Sequence, residues 1–315
     1  YEAERLAGGY GPHAAKQGDE ATLRRLVMSC LLWEDNAYID GKSVVEQIKE
    51  LVHKLPTQVV ADIAVEARFQ QKLRHVPLLL CRELARHPGN RGVLAPTLEK
   101  VIHRPDELTE FLSLYWKDNV RKDGFPGEGI DVPKKSLSAQ VKKGLATAFR
   151  KFDAYQLAKY NRDGKEIKLR DVLFLCHAKP KDQEQEALWK KLINDELEPP
   201  DTWEVGLSAA KTPEEKRDVW ERLLKDGKLG VFAFLKNLRN MQKVKISRKV
   251  IADGLSNVKP AMLLPIDFLK AQKYAPDYTR ELEDLMLRCV SQYPKLPGWT
   301  IFVVDVSGSM GAVLS

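Results

Sequence analysis

Apolar side chains recur every three or four residues along nearly the whole of residues 21–293. Leu23, Leu26, Val27 and Cys30 form one such run, and the same spacing continues in the segments that follow. A period of 3.6 residues is that of an amphipathic α-helix, which is stable only when its apolar face packs against other helices. The chain therefore predicts a mainly α fold of roughly fifteen helices, each about 10 to 17 residues long.

Residues with a chemical reason to begin a helix separate these runs. The candidate N-caps are Thr57, Ser136, Ser138, Asp201 and Thr212, and the prolines suited to a first helical turn are Pro105, Pro213 and Pro276. This number of helices exceeds a four-helix bundle, and no clean 34-residue signature is present. An irregular HEAT-like α-solenoid, built from stacked helical hairpins, is the predicted architecture.

The pattern changes after a Pro- and Gly-containing linker at residues 293–298. Residues 299–305 form a dense β-branched and aromatic run, which is typical of a buried strand in a parallel sheet. One strand is not a sheet, so residues 298–315 are predicted to be the incomplete start of an α/β domain, and residues 1–294 the helical module.

That strand leads into a loop with three hard oxygen ligands, Asp305, Ser307 and Ser309. Such ligands suit Mg²⁺, but the ion prefers near-octahedral coordination, so this incomplete set is expected to hold no metal in this chain. Residues 303–310 (VVDVSGSM) resemble the first loop of a von Willebrand factor A domain with its metal-ion-dependent adhesion site. The resemblance implies that divalent metal binding needs further ligands from later loops.

The positive charge is concentrated in one stretch. The chain has a formal net charge of +7, and residues 134–181 alone hold thirteen basic and four acidic residues, a net +9. Such a stretch favours a polyanionic partner, because each phosphate neutralised releases condensed counterions. A solvated helix face is the alternative interpretation.

A second basic group lies between Lys236 and Lys249 and contains no acidic residue. Lys236, Arg239 and Lys243 have the spacing of one helix face, which could hold phosphates, while Asn237 and Asn240 could donate hydrogen bonds to bases or sugars. An outward solvated face without a ligand is the alternative.

Other classes of protein find little support. A mean hydropathy of −0.37 and the lack of a long apolar run argue against a transmembrane segment. The four cysteines are too far apart in sequence for a zinc knuckle or disulfide scaffold, which favours a reducing, cytoplasmic compartment. Gly41, Lys42 and Ser43 mimic the end of a phosphate-binding loop, but Asn36 stands where the first glycine is required, so we interpret them as a turn. No enzymatic activity is predicted.

Three short segments of the sequence are distinctive: residues 6–10 (LAGGY), 170–180 (RDVLFLCHAKP) and 234–241 (FLKNLRNM). They resemble, in this order, the N-terminal AGGY, the KDLLRLSHxKP and the LLRNLxKM segments of the Ro autoantigen family, whose helical part is called the TROVE module. They occur in the family's order. The chain therefore resembles a bacterial Ro-like protein that ends early in its von Willebrand factor A domain.

The resemblance implies a ring of HEAT-like repeats that binds small non-coding RNA twice. Y RNA would bind a basic outer surface, and single-stranded 3' ends of misfolded RNAs would enter a central hole. The implied outer contacts are Lys159, Arg162 and His177, joined by Lys142, Lys143 and Lys179 of the same basic stretch, and the predicted hole contacts are Lys236, Arg239 and Lys243. The Arg162 match depends on a one-residue length difference, and His177 has an alternative role in capping helix carbonyls.

These observations predict a monomeric, non-enzymatic scaffold for RNA quality control. In bacterial relatives the implied protein partner is an exoribonuclease such as polynucleotide phosphorylase, tethered through Y RNA. Two alternatives stay open: a protein-binding α-solenoid whose basic stretch meets an acidic partner, and a nuclease or metal-dependent enzyme built on the Asp305 loop.

Overall fold

The computed structural model describes residues 18–30, 41–90, 92–116, 136–161, 166–261, 263–293, 295, 298–299 and 301. These residues form sixteen α-helices and one short 3-10 helix, and no strand occurs among them. The mainly α, solenoid-like fold predicted from the apolar period is confirmed. The chain divides into two compact units, residues 1–200 and 201–315.

The described residues of the first unit form ten helices. They are α1 (Asp19–Ser29), α2 (Gly41–Lys54), α3 (Thr57–Phe69), α4 (His75–Arg86), α5 (Leu94–Val101), α6 (Pro105–Trp116), α7 (Ala139–Phe149), α8 (Ala154–Tyr160), α9 (Leu169–Cys176) and α10 (Gln183–Ile193). Neighbouring helices pack as hairpins, such as α3 with α4, around one core that runs from Leu23 to Leu192. The Gly41 to Ser43 segment begins α2, so its interpretation as a turn is wrong.

Helix α7 lies unusually close to α5 at Gly144. A Cβ atom at this position would lie 2.9 Å from the Cβ of Leu98 and 3.0 Å from the carbonyl oxygen of Ala95. Only glycine allows this approach, because protein cores are packed without spare volume. This contact fixes the helix that carries Lys142 and Lys143.

A buried carboxylate organises the start of α6. Glu107 is fully buried, and its Oε2 accepts hydrogen bonds from the backbone N–H groups of His103 at 2.7 Å and Arg104 at 3.1 Å. Its Oε1 accepts one from Arg68 Nη2 on α3 at 2.6 Å. Glu107 lies in the first turn of α6, and its side chain reaches back to the N–H groups of the two residues before the helix, as the acidic residue of a capping box does. Together with the Arg68 contact, this fixes the start of α6 and ties it to α3.

Six helices and one 3-10 helix lie in the part of the second unit that the structure describes. They are α11 (Trp203–Ala209), α12 (Pro213–Lys225), α13 (Val231–Lys243), α14 (Arg248–Asn257), α15 (Pro265–Tyr274), the 3-10 helix Pro276–Tyr278 and α16 (Thr279–Val290). Trp220, Phe234 and Met241 are at the centre of a separate core. Helix α13 packs against α14 and α15.

Most of the predicted helix starts are confirmed. The Ser138 and Thr212 side chains cap α7 and α12, and Pro105, Pro213 and Pro276 begin their helices. Asp201 is not an N-cap, because Thr202 takes that position and accepts a hydrogen bond from the Val205 N–H. The Asp201 carboxylate binds the side chains of Arg222 and Lys228 instead, and these hydrogen bonds hold its pKa well below the usual range.

Thr57 and Ser136 do not act as the predicted N-caps. Thr57 is the first residue of α3, which has no side-chain cap, and Ser136 precedes the Ser138 cap of α7. Trp299 and Ile301 are exposed and in no regular element, and residues 302–315 lie outside the described part of the chain. The strand, the Asp305, Ser307 and Ser309 ligands, the closed ring and the domain limits 1–294 and 298–315 stay predictions.

Replacing Glu107 by Ala is expected to destabilise the protein by about 3–5 kcal/mol, because the half-buried Arg68 guanidinium loses its carboxylate partner and two backbone N–H groups lose their acceptor. The free energy of unfolding in urea measures this. Glu186→Ala, which breaks the exposed ion pair with Lys190, serves as the control and should cost no more than about 0.5 kcal/mol. Equal effects of the two substitutions would contradict the role assigned to Glu107.

Candidate nucleic-acid interface

Several cations of the basic stretch 134–181 bind other parts of the protein. Arg150 Nε donates to the carbonyl oxygen of Lys179 at 2.8 Å, and Arg170 forms an ion pair with Asp195 at 2.6 Å. The Lys151 ammonium donates to the carbonyl oxygens of Glu99 and Ile102, and partial burial lowers its pKa. The charge available to a ligand is therefore smaller than the net +9 of the sequence.

The predicted outer contacts lie on three neighbouring elements of the first unit. Lys142 and Lys143 are on α7, Lys159 is on α8, and His177 and Lys179 follow α9. Lys143, His177 and Lys179 are exposed, whereas Lys142 and Lys159 are half-buried. Arg162 lies outside the described residues.

A cleft of about 570 Å³ brings Lys142 and His177 together between α7 and α9. Its other described lining residues are Trp116, Ser136, Leu137, Glu166, Ile167, Asp171, Phe174 and Leu175. Phe174 is largely exposed although it lies beside the cleft. The cleft thus combines two basic side chains, two acidic ones (Glu166 and Asp171) and an apolar and aromatic wall. Lys143, Lys159 and Lys179 are not part of the described lining.

His177 adopts a left-handed backbone conformation, with φ of 52° and ψ of 43°, at the C-terminus of α9. Its backbone N–H, and not its imidazole, donates to the carbonyl oxygens of Leu173 and Phe174. His177 is therefore a helix-end residue that caps carbonyls, as the alternative role predicts, but it does so through its backbone. Its side chain is exposed and lines the cleft. The neighbouring Cys176 is buried, which raises the pKa of its thiol to about 11, so it stays protonated at neutral pH.

Lys159 lies beside two aromatic rings. Its Nζ is 5.7 Å from the ring centroid of Tyr155 and 5.9 Å from that of Tyr160, and Tyr155 is exposed. Sequence reasoning did not select Tyr155, although its spacing of four residues from Lys159 on a predicted helix is a usable signal. Cation and ring together can hold a phosphate next to a base or sugar.

The second basic group has the single face that its spacing predicts. Phe234, Leu238 and Met241 bury one side of α13, and Lys236, Arg239 and Lys243 lie on the exposed side. Asn237 is buried, its amide donates to the Ala233 carbonyl, and its Oδ1 accepts from Asn240. The prediction that Asn237 meets bases or sugars is therefore wrong, and Asn240 is engaged through its Nδ2.

Two exposed aromatic rings accompany these cations, and sequence reasoning missed both. Lys236 Nζ lies 4.3 Å from the ring centroid of Phe232, and Arg239 Cζ lies 5.9 Å from that of Tyr274 on α15. The spacing of Phe232 and Lys236 is visible in the sequence, but the contact between Arg239 and Tyr274 depends on the packing of two helices. Further along the group, Arg248 pairs with Glu281 at 3.2 Å.

Within the described residues no cluster of His, Cys, Asp or Glu has the arrangement of a metal site. The three predicted metal ligands fall outside this part of the chain. Among the described helices, none combines the length and the apolar character that crossing a membrane requires.

Comparison with known proteins identifies the class of this fold. Residues 194–296 match the TROVE domain. The crystal structure of the Deinococcus radiodurans Ro (RSR) protein is similar over 87% of this chain and 64% of that protein, with a TM-score of 0.57 at 18% sequence identity. The chain thus spans just under two thirds of the length of that protein. No curated protein matches it in sequence.

These findings confirm the resemblance that the three short segments predict. The TROVE match contains residues 234–241, one of those segments, together with the basic face of α13. Residues 194–296 are therefore similar to the TROVE domain, and the fold of the chain is similar to that of a Ro protein.

The conformation of His177 gives a prediction about its side chain. His177→Gly should change the free energy of unfolding by less than about 0.5 kcal/mol, since relief of the left-handed strain offsets the greater freedom of glycine in the unfolded chain. Lys72→Gly, at another residue of positive φ, is the matched control in thermal unfolding. A loss of more than about 1 kcal/mol at His177 alone would mean that the imidazole supports the fold.

Proposed function

We propose that this chain is a non-enzymatic RNA-binding protein of small non-coding RNA quality control, with a separate RNA surface on each unit. The observation that carries the proposal is the pair of exposed cationic groups, one on α7 to α9 and one on α13, each accompanied by exposed aromatic side chains. Cations together with aromatic faces are the combination that nucleic acids require, because phosphates and bases are recognised by different groups.

The first unit is proposed to bind the stem of a Y RNA. Lys142, Lys143, Lys159, Arg162, His177 and Lys179 would contact it, with the lysines neutralising phosphates and His177 donating a hydrogen bond at the edge of the cleft. Because phosphates carry no base information, this contact would fix the position of the stem and read little of its sequence.

The second unit is proposed to bind single-stranded 3' ends of misfolded RNAs through Lys236, Arg239 and Lys243. The sequence of α13 contains no acidic residue, so nothing on this helix repels the phosphates. In the family's architecture this surface would face a central hole.

Further parts of the proposal concern partners and compartment. A monomer in the cytoplasm would present bound RNA to an exoribonuclease such as polynucleotide phosphorylase, tethered through Y RNA. The Asp305 loop would contribute to divalent metal binding only together with further ligands.

Two matched triple charge reversals test the separation of the two surfaces. In the first variant, Lys236, Arg239 and Lys243 are changed to Glu. This variant should bind a linear RNA with an unpaired 3' tail more weakly by about 100-fold or more. Its affinity for a hairpin should change by less than about threefold. Lys142, Lys143 and Lys179 changed to Glu should have the opposite effect. Both variants change the net charge equally, so fluorescence anisotropy with the two RNAs separates local contact from general attraction.

A circularised copy of the tail RNA is the control for recognition of an end, and it should bind more weakly than the linear form. Equal losses for both RNAs in both variants would contradict separate surfaces. Absence of binding to either RNA by the unmodified chain would favour the acidic protein partner.

A further inference from the structure

The exposed side of α13 and the adjacent end of α15 form a row of alternating rings and cations. Along α13, Phe232, Lys236, Arg239 and Lys243 succeed one another at one helical turn, and Tyr274 of α15 lies beside Arg239. Phe232 is 46% exposed and Tyr274 is 58% exposed, which is unusual for large rings in a unit with its own apolar core. We name these five residues the ring and cation row.

We propose that Phe232 and Tyr274 are stacking platforms for two unpaired bases, with Lys236 and Arg239 neutralising the phosphates that accompany them. This inference rests on the proposed function and names residues and a type of contact that charge alone does not provide. Each ring is held near a cation, at 4.3 Å for Phe232 and 5.9 Å for Tyr274, and still has a large exposed surface. Aromatic side chains bind bases of any sequence, because every base presents a π face.

The exposed faces of the two rings favour an unpaired strand over a duplex. Bases inside a duplex are stacked on one another, whereas the bases of an unpaired strand can stack on aromatic side chains. Phe232 and Tyr274 lie beside different cations of α13, Lys236 and Arg239, so each ring has a phosphate-binding group next to it.

The charges around the row support the same ligand. Lys270 and Lys273 on α15 are exposed beside Tyr274 and add to the three cations of α13. The acidic residue of α15, Asp267, accepts a hydrogen bond from the Leu264 N–H at 3.2 Å, which satisfies the start of that helix. Exposed cations are thus present on both α13 and α15, the two helices that carry the rings.

An abasic RNA tail separates stacking from charge, because it keeps the phosphates and lacks the bases. The unmodified chain should bind an ordinary 3' tail more tightly than an abasic tail of the same length, by about tenfold for each ring. Phe232→Leu and Tyr274→Leu should each reduce this preference about tenfold and leave the affinity for the abasic tail unchanged. The double variant should bind the ordinary and abasic tails with equal affinity.

Three controls make the result specific. Tyr293→Leu removes another exposed ring of the second unit, 38% exposed, and should leave the preference intact. Phe232→Tyr and Tyr274→Phe retain a ring and should restore most of it. Unfolding temperatures equal to that of the unmodified chain would show that the leucine variants are folded.

The possible failures are distinguishable. In one outcome the leucine variants still prefer the ordinary tail over the abasic one, while the triple Glu variant binds neither tail. The site would then contact phosphates only, so the stacking proposal would be wrong although the proposed function stands. If the leucine variants lose the ordinary and abasic tails equally, the rings support the surface without stacking on bases, which also overturns the inference. If the unmodified chain binds neither tail, the proposed function and this inference fail together.

Discussion

The two helices that carry most of the candidate RNA contacts, α7 and α13, each bury one face, and that constraint decides where their charge is presented. Helix α13 buries Phe234, Leu238 and Met241, and this burial places Lys236, Arg239 and Lys243 on the surface. Helix α7 buries Leu145 and Phe149 and approaches α5 at Gly144, which sets the position of Lys142. The candidate RNA contacts are thus positioned by apolar packing on the opposite side of the same helices.

Cations of the same types serve two different purposes in the first unit. Arg68 and Arg74 bind the acidic residues at the start of α6, where Glu107 and Asp106 are buried, and these pairs hold helices together. Lys143 and Lys179 are exposed on α7 and after α9. The difference follows from desolvation, because a buried cation needs a carboxylate or carbonyl partner, whereas an exposed one is available to a phosphate.

The apolar period was sufficient to predict the helical class, the approximate number of helices and the shared face of Lys236, Arg239 and Lys243. The apolar period does not predict contacts between segments that are far apart in the sequence. The sequence gives no sign that Lys151 reaches the carbonyls of Glu99 and Ile102, so counting charges overestimated the basic surface. Nor does it show that Tyr274 lies against Arg239, because that contact depends on how α13 and α15 pack. The expectation that Asn237 contacts RNA is wrong for a local reason, because its side-chain amide donates a hydrogen bond to the Ala233 carbonyl one turn earlier in α13.

Mapping of RNA crosslinks on the whole chain tests the separation of the two surfaces most directly. An RNA hairpin with an unpaired 3' tail, carrying photoreactive nucleotides in the stem or in the tail, is crosslinked and the modified peptides are identified by mass spectrometry. The account predicts stem crosslinks within residues 136–180 and tail crosslinks within residues 231–243 and at Tyr274. Stem and tail crosslinks to the same peptides of one unit would contradict it.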